Sequence, residues 1–172
     1  MTNIKCPSHL LNQWALVTGA SSGIGKEIAM TLAQLGMNVF ITARRQHELT
    51  KLKDTIESMQ VKCNTLVLDL TSPNASKTLV EALAQDAITP SVFINNAGRG
   101  VYGDFQSMNP QEIEQMLTLN VTTMTMLCRH VASIMPKDSF MLLVASTICF
   151  QPTPLYTAYA DLKAMYTVLG LH

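Results

Sequence analysis

The chain has 172 residues, 48% of them apolar and 14% charged, with twelve basic and twelve acidic side chains. That length suffices for one domain with a core, residues 1–172, and the composition excludes a disordered tail. A formal net charge of zero gives no reason to expect a nucleic-acid or anionic-membrane partner, and no apolar run approaches the roughly 18 residues of a membrane span.

The first eleven residues carry Lys5, Pro7, Ser8 and His9 without a long apolar stretch, so no signal peptide is expected. Residues 14–18 are a short apolar run leading into a Gly/Ser turn over 19–25. A helical pattern comes next, through Ile24, Ile28, Ala29, Leu32 and Leu35, and is stopped by Gly36. Residues 38–42 read as a second strand, and 48–59 as a helix with Leu49, Leu52, Ile56 and Met59 as its stripe. A third strand is expected over 64–70, and Ser72-Pro73 looks like a cap and first turn of a helix running to about Asp86. Pro90 precedes a fourth strand, 91–94, and a loop with Gly98, Gly100 and Gly103. Residues 110–135 read as one long helix with Ile113, Met116, Leu117, Val121, Met124, Leu127, Val131 and Ile134 on its apolar side. A fifth strand over 140–145 and a last helix from 157 complete the pattern. Alternating strands and helices predict an α/β, doubly wound parallel sheet, Rossmann-like, of about five strands in the order 3-2-1-4-5. Ligands of such sheets bind at the carboxyl ends of the strands, which directs attention to the loops there.

The cysteines (Cys6, Cys63, Cys128, Cys149) are scattered and read as reduced thiols of a cytoplasmic protein. The four histidines show no metal-ligand spacing. The loop Thr18-Gly19-Ala20-Ser21-Ser22-Gly23-Ile24-Gly25 joins the first strand to the first helix, where glycines admit a ligand to the backbone and the helix N-terminus attracts phosphate. Gly25-Lys26 hints at an ATP-type phosphate loop, but Ala20 and Glu27 stand where that motif needs Gly and Ser or Thr. After the second strand comes Thr42-Ala43-Arg44-Arg45, with no acid for an adenosine ribose, so Arg44 suits a 2′-phosphate and NADP is expected rather than NAD. Asp69 either meets an adenine edge or orders its own turn. Tyr159 and Lys163 stand four apart and so share a helix face, where an ammonium beside a phenol favours the phenolate and suits proton transfer at a carbonyl or alcohol.

Taken with Asn95-Asn96-Ala97-Gly98, Asn120, and Ser146 thirteen residues before Tyr159, these motifs resemble the short-chain dehydrogenase/reductase family from about Leu11 onward. The resemblance implies an oxidoreductase that moves hydride between NADP(H) and a small carbonyl or alcohol substrate. It implies that Gly19, Gly23, Ile24 and Gly25 line the cofactor pyrophosphate and ribose, with Ser21 and Ser22 in the same loop. It assigns Asn95, Ala97 and Gly98 to the central sheet and the adenosine side, Tyr159 to general acid–base work, and Ser146 to the substrate oxygen. Lys163 would bind the nicotinamide ribose and depress the Tyr159 pKa. Asn120 would distort its helix and position a relay water. Asp161 and Leu162 depart from the family's usual small residues before the Lys. The family also continues into a sixth strand, a cofactor loop, a substrate loop and a seventh strand, which this chain lacks. It is therefore expected to be either an oxidoreductase completed elsewhere or a truncated, non-catalytic dinucleotide-binding module. Self-association is expected through the long helix over 110–135 and the final helix.

Overall fold

The computed structural model describes residues 6–150 together with Leu155, Tyr159, Leu162 and Lys163. Five parallel strands form the sheet: β1 (Trp14–Thr18), β2 (Asn38–Ala43), β3 (Cys63–Val67), β4 (Pro90–Asn95) and β5 (Phe140–Leu143), in the order β3-β2-β1-β4-β5. Leu16 pairs with Phe40 on one side and Phe93 on the other. Strands β2 and β4 are buried along their whole length, as their continuous apolar runs require of strands covered on both faces.

Side chains alternate between two cores. Ala15, Val17, Val39, Ile41, Val92 and Ile94 face α1 (Gly23–Gln34) and α2 (Gln46–Glu57), meeting Ala29, Ala33, Leu49, Leu52 and Ile56. Leu16, Phe40 and Phe93 face the other way, onto Leu79 and Leu83 of α3 (Ala75–Gln85) and Leu127 and Val131 of α5 (Met124–Ala132). Each such buried Leu or Phe is worth roughly 1.5–3 kcal/mol over leaving it in water. Strand β5 pairs only with β4 among the described residues, and its Phe140 and Leu142 are exposed.

The expected elements are all present up to β5, with corrections at their ends. Strand β3 stops at Val67 rather than 70 because the Asp69 carboxylate accepts from Thr71 N (2.9 Å) and Thr71 Oγ1 (2.8 Å), which turns the chain. Ser72 is not a helix cap. The Ser72–Asn74 stretch is a turn in which Ala75 N donates to Ser72 O, and α3 starts after Asn74, whose φ of 61° is left-handed. Ile24 is not part of the buried stripe of α1; it is 63% exposed in the first turn.

The long helix over 110–135 is not one regular helix. α4 (Pro110–Leu117) starts with the Asn109 side chain accepting from Gln111 N and with Pro110 in the first turn. A π-helical segment, Thr118–Thr123, then separates it from α5. Asn120 lies in that segment and donates to Met116 O (2.9 Å), a bond that competes with the backbone ladder. Met116 before the segment and Met124, Leu127 and Val131 after it are buried, while Leu117, which directly precedes it, is exposed. The last helix from 157 lies outside the described residues except for Tyr159, Leu162 and Lys163, which are helical.

Candidate functional site

The carboxyl ends of β1 and β4 are joined by one hydroxyl. Thr18, with no exposed surface, donates from Oγ1 to Asn95 Oδ1 (3.2 Å) and accepts from Asn96 N (3.1 Å) and Ala97 N (3.0 Å). That exhausts the one donor and two acceptor sites of a threonine hydroxyl. Asn96 returns the bond, its Nδ2 donating to Thr18 O (3.0 Å) and Gly19 O (3.3 Å). Gly19 sits at φ 67°, where a Cβ would stand 2.9 Å from Ala97 Cα, so this position needs glycine on two counts. The glycine loop and the loop after β4 therefore form one packed unit.

Beside that unit is a cavity of about 210 Å³ whose wall includes Gly19, Ser21, Arg44, Asp69, Ala97 and Gly98. α1 opens toward it with Ser22 as its cap residue, and Ser22 makes no side-chain capping bond, so the first-turn N–H groups remain available to an acceptor. Arg45 reaches both serines of the loop, from Nε to Ser21 Oγ (3.3 Å), and from Nη2 to Ser21 Oγ (3.1 Å) and Ser22 Oγ (2.6 Å). Arg44 lines the same cavity beside Asp69. Burial pushes the Asp69 carboxyl up, but the two Thr71 hydrogen bonds and the Arg44 charge outweigh it and hold the group below its ordinary value. Asp69 thus both orders its turn and faces the cavity. Gly23, Ile24, Gly25 and Asn95 do not line it. Gly23 and Ile24 are exposed at the head of α1, Gly25 is buried against Gly19 and Asn96, and Asn95 is buried under the loop.

At the other end of the loop after β4, Gly98 meets two groups from distant segments. A Cβ there would lie 2.8 Å from Asn120 Oδ1 and 3.1 Å from Lys163 Nζ. Asn120 has no exposed surface; its Nδ2 donates to Arg99 O (2.7 Å) and Met116 O, and its Oδ1 has no hydrogen-bond partner among the described residues. A fully buried amide oxygen without a partner among the described residues costs about 1–3 kcal/mol. Lys163, 3% exposed, donates from Nζ to Val144 O (3.0 Å) and stands 5.9 Å from the centre of the Tyr159 ring. Burial brings the Lys163 ammonium down to about 8, with the Cys149 thiol nearby acting in the opposite direction. The Tyr159 ring in turn lies against Gly100, where a Cβ would be 3.2 Å from the ring. Ser146 is half-buried just after β5, its Oγ accepting from Ile148 N (3.4 Å) at the start of the turn Thr147–Phe150.

The expected site residues thus fall into two groups bridged by the loop after β4. Gly19, Ser21, Ser22, Arg44 and Asp69 surround the cavity, while Asn120, Tyr159 and Lys163 gather at Gly98 and Gly100. Thr18, Arg45, Asn96 and Arg99 also position the site, and the sequence does not single them out as site residues. Thr18 and Asn96 stand inside the glycine-loop and Asn95–Gly98 motifs, but their partners lie 77 to 79 residues away, and no local pattern reveals that. Among the described residues no cluster of His, Cys, Asp or Glu has the makings of a metal site.

A parallel sheet with a glycine turn, a helix N-terminus and a cavity at its carboxyl edge defines a Rossmann-type dinucleotide-binding fold. The chain belongs to the short chain dehydrogenase family, whose model matches residues 13–169. It is 33% identical over 165 residues to a very-long-chain 3-oxoacyl-CoA reductase of Schizosaccharomyces pombe, an alignment that covers 88% of this chain and 48% of that protein. It resembles the crystal structure of a short chain dehydrogenase from Burkholderia cenocepacia in complex with NADP, at TM-score 0.85 and 26% identity, covering 90% of this chain and 64% of that one. The bulky-bulky ketone specific alcohol dehydrogenase from Comamonas testosteroni is similar at TM-score 0.84 and 31% identity, covering 91% of this chain and 64% of that one. The chain spans about half the length of the curated relatives it matches.

Proposed function

We propose that residues 1–172 act as one domain of an NADP(H)-dependent oxidoreductase that interconverts a carbonyl and an alcohol, with Tyr159 as general acid–base. The observation that carries this reading is the convergence of Asn120 Oδ1, Lys163 Nζ and the Tyr159 ring on the loop that also walls the cavity. The residues present fit a dinucleotide. The glycine loop packs tightly on the loop after β4 at the edge of the cavity, the first turn of α1 has no side-chain cap bond and so offers N–H groups to an anion, and Arg44 and Arg45 supply positive charge for a 2′-phosphate. The turn that ends β2 carries Arg44 and Arg45 and no acid to favour NAD. Crystal structures similar to this chain, including the Burkholderia cenocepacia enzyme, hold NADP, which agrees with that choice.

When bound, NADP(H) supplies or takes the hydride. In the reducing direction Tyr159 gives its phenolic proton to the carbonyl oxygen, and in the oxidising direction it takes the proton from the alcohol. Ser146 holds that oxygen by a hydrogen bond. Lys163, anchored on Val144 O, keeps positive charge near the phenol and offers donors to the ribose hydroxyls. Asn120 Oδ1 accepts from a water that returns the proton to solvent. The free thiols suit a reducing, cytoplasmic compartment, and among the described residues no helix is long and apolar enough to cross a membrane. A second copy packing on α4 and α5 would cover the exposed Leu117 and Met126.

The test is NADP+ binding by calorimetry, followed by turnover on a panel of ketones and secondary alcohols. Binding with turnover that is abolished in Tyr159→Phe supports the reading. Because the chain spans 48% of its S. pombe relative, a second reading stands beside it: a dinucleotide-binding module without chemistry. Binding without turnover decides for that one, and no binding of NADP+ or NAD+ removes both.

A further inference from the structure

Residues 96–104 form no helix or strand, yet they carry one wall of the site: Gly98 lies against Asn120 Oδ1 and Lys163 Nζ, and Gly100 against the Tyr159 ring. A glycine on either side of one residue leaves that stretch of backbone with little stiffness of its own. The residue between them is Arg99, and it is held by its main chain and by its side chain. Its carbonyl accepts from Asn120 Nδ2 at 2.7 Å. Its guanidinium reaches α4, from Nη2 to Glu112 Oε1 (2.6 Å) and from Nη1 to Gln115 Oε1 (3.3 Å). Glu112 and Gln115 stand three apart and so share one helix face. α4 is itself fixed at that end: Asn109 Oδ1 accepts from Gln111 N, Asn109 O accepts from Glu112 N (3.0 Å), and Pro110 occupies the first turn. The run 112–120 therefore grips Arg99 twice, by side chains near its start and by Asn120 at its end.

The Arg99 and Glu112 side chains are 41% and 43% exposed, and an ion pair as open as that adds little to global stability. A planar guanidinium held at two points nevertheless fixes direction, which a single flexible contact does not. Resting on the proposed carbonyl–alcohol reading, we infer that Glu112 is a positioning residue: by clamping Arg99 it orients the carbonyl that binds the Asn120 amide nitrogen, and so sets where Asn120 Oδ1 points beside Gly98. Glu112 acts through Arg99 and does not itself line the cavity. Its removal therefore shows in the geometry at Asn120 and in the rate of the chemical step, and much less in cofactor binding or in the melting of the fold.

The test reads the Asn120 side-chain NH2 by NMR in the cofactor-free chain, with kcat and the KM for NADP+ measured in parallel. In Glu112→Ala the proton that faces Arg99 O is expected to move upfield, as its hydrogen bond loosens, and to exchange with solvent about fivefold faster, the upper worth of an exposed pair. kcat is expected to fall about tenfold or more, the cost of a misplaced group, while the KM for NADP+ stays within about twofold. Glu112→Gln, which keeps an acceptor for Arg99 and removes the charge, is expected to restore most of each loss. An Asn120 signal that is the same in Glu112→Ala as in the unaltered chain overturns the inference, and so does a moved signal with unchanged kcat, or a loss that Glu112→Gln fails to recover. A chain that turns nothing over, but whose Asn120 signal moves in Glu112→Ala and returns in Glu112→Gln, keeps the positioning and removes the catalytic reading. Turnover in a chain whose Asn120 signal ignores Glu112 does the reverse. Should Glu112→Ala not fold, Arg99→Lys is read in the same way, since an ammonium keeps the charge but lacks the planar fork that spans both acceptors.

Discussion

Replacing Thr18 by Val keeps the shape of a fully buried β-branched side chain and removes one oxygen. That oxygen carries three hydrogen bonds, to Asn95 Oδ1, Asn96 N and Ala97 N. Asn95 is 1% exposed, so its Oδ1 loses its donor with no water to replace it. The N–H groups of Asn96 and Ala97 belong to half-buried residues and recover part of their solvation. Taking about 2 kcal/mol for the buried acceptor and about 1 kcal/mol for each N–H gives a loss of roughly 4 kcal/mol. Thr18→Ser keeps the oxygen and loses a buried methyl, at about 1 kcal/mol. With a urea slope of about 2 kcal/mol/M, the midpoint moves down by about 2 M for Val and about 0.5 M for Ser. Because Ala97 and Gly98 wall the cavity, NADP+ affinity falls in the Val variant and holds in the Ser variant. A Val midpoint equal to or above that of Ser refutes the claim that this hydroxyl joins β1 to the loop after β4.

Gly98→Ala puts a methyl 2.8 Å from Asn120 Oδ1 and 3.1 Å from Lys163 Nζ; a loss of about 1–3 kcal/mol in denaturant melts is expected, together with collapse of turnover, and an unchanged midpoint counts against the contact. Arg44→Asp is expected to weaken NADP+ about tenfold or more, the worth of a charge-assisted hydrogen bond, and to leave NAD+ nearly unaffected; equal losses for both cofactors sink the 2′-phosphate assignment. Lys163 titrates near 8 in the fold and near 10.5 when unfolded, so between those values the unfolded chain binds more protons and stability rises with pH. Urea midpoints taken from pH 7.5 to 10.5 show this as a gain that is absent in Lys163→Met, and parallel pH profiles of the two proteins exclude it.

Strand order was legible because each buried run (residues 14–18, 38–42 and 91–94) is bounded by a turn signal and followed by a helical period, and right-handed alternation leaves few ways to stack such units. The ends of elements were not legible where a side chain overrides propensity. Asp69 ends β3 by binding Thr71, and Asn74 accepts a left-handed φ that displaces the start of α3 from Ser72-Pro73. The π-helical segment is a sharper case. Hydrophobic positions from Ile113 to Ile134 suit an unbroken helix within the tolerance of any apolar stripe, and one wide turn changes which residues face inward without spoiling the pattern. Its visible trace is Asn120, polar yet fully buried within the segment. Site residues divide in the same way. The glycine loop, Tyr159 and Lys163 stand out in the sequence because the roles expected of them depend on residues four to seven apart. Thr18 and Asn96 act across 77 or more, and Arg45 is told from its neighbour Arg44 only by the serines it grips. The unpaired Asn120 oxygen joins the two levels. The sequence can place an asparagine in a helix, but only the packed structure can show that its amide nitrogen is spent on two carbonyls and its oxygen on no partner among the described residues. That asymmetry, rather than the identity of the residue, is what motivates the relay role proposed for the oxygen beside Gly98.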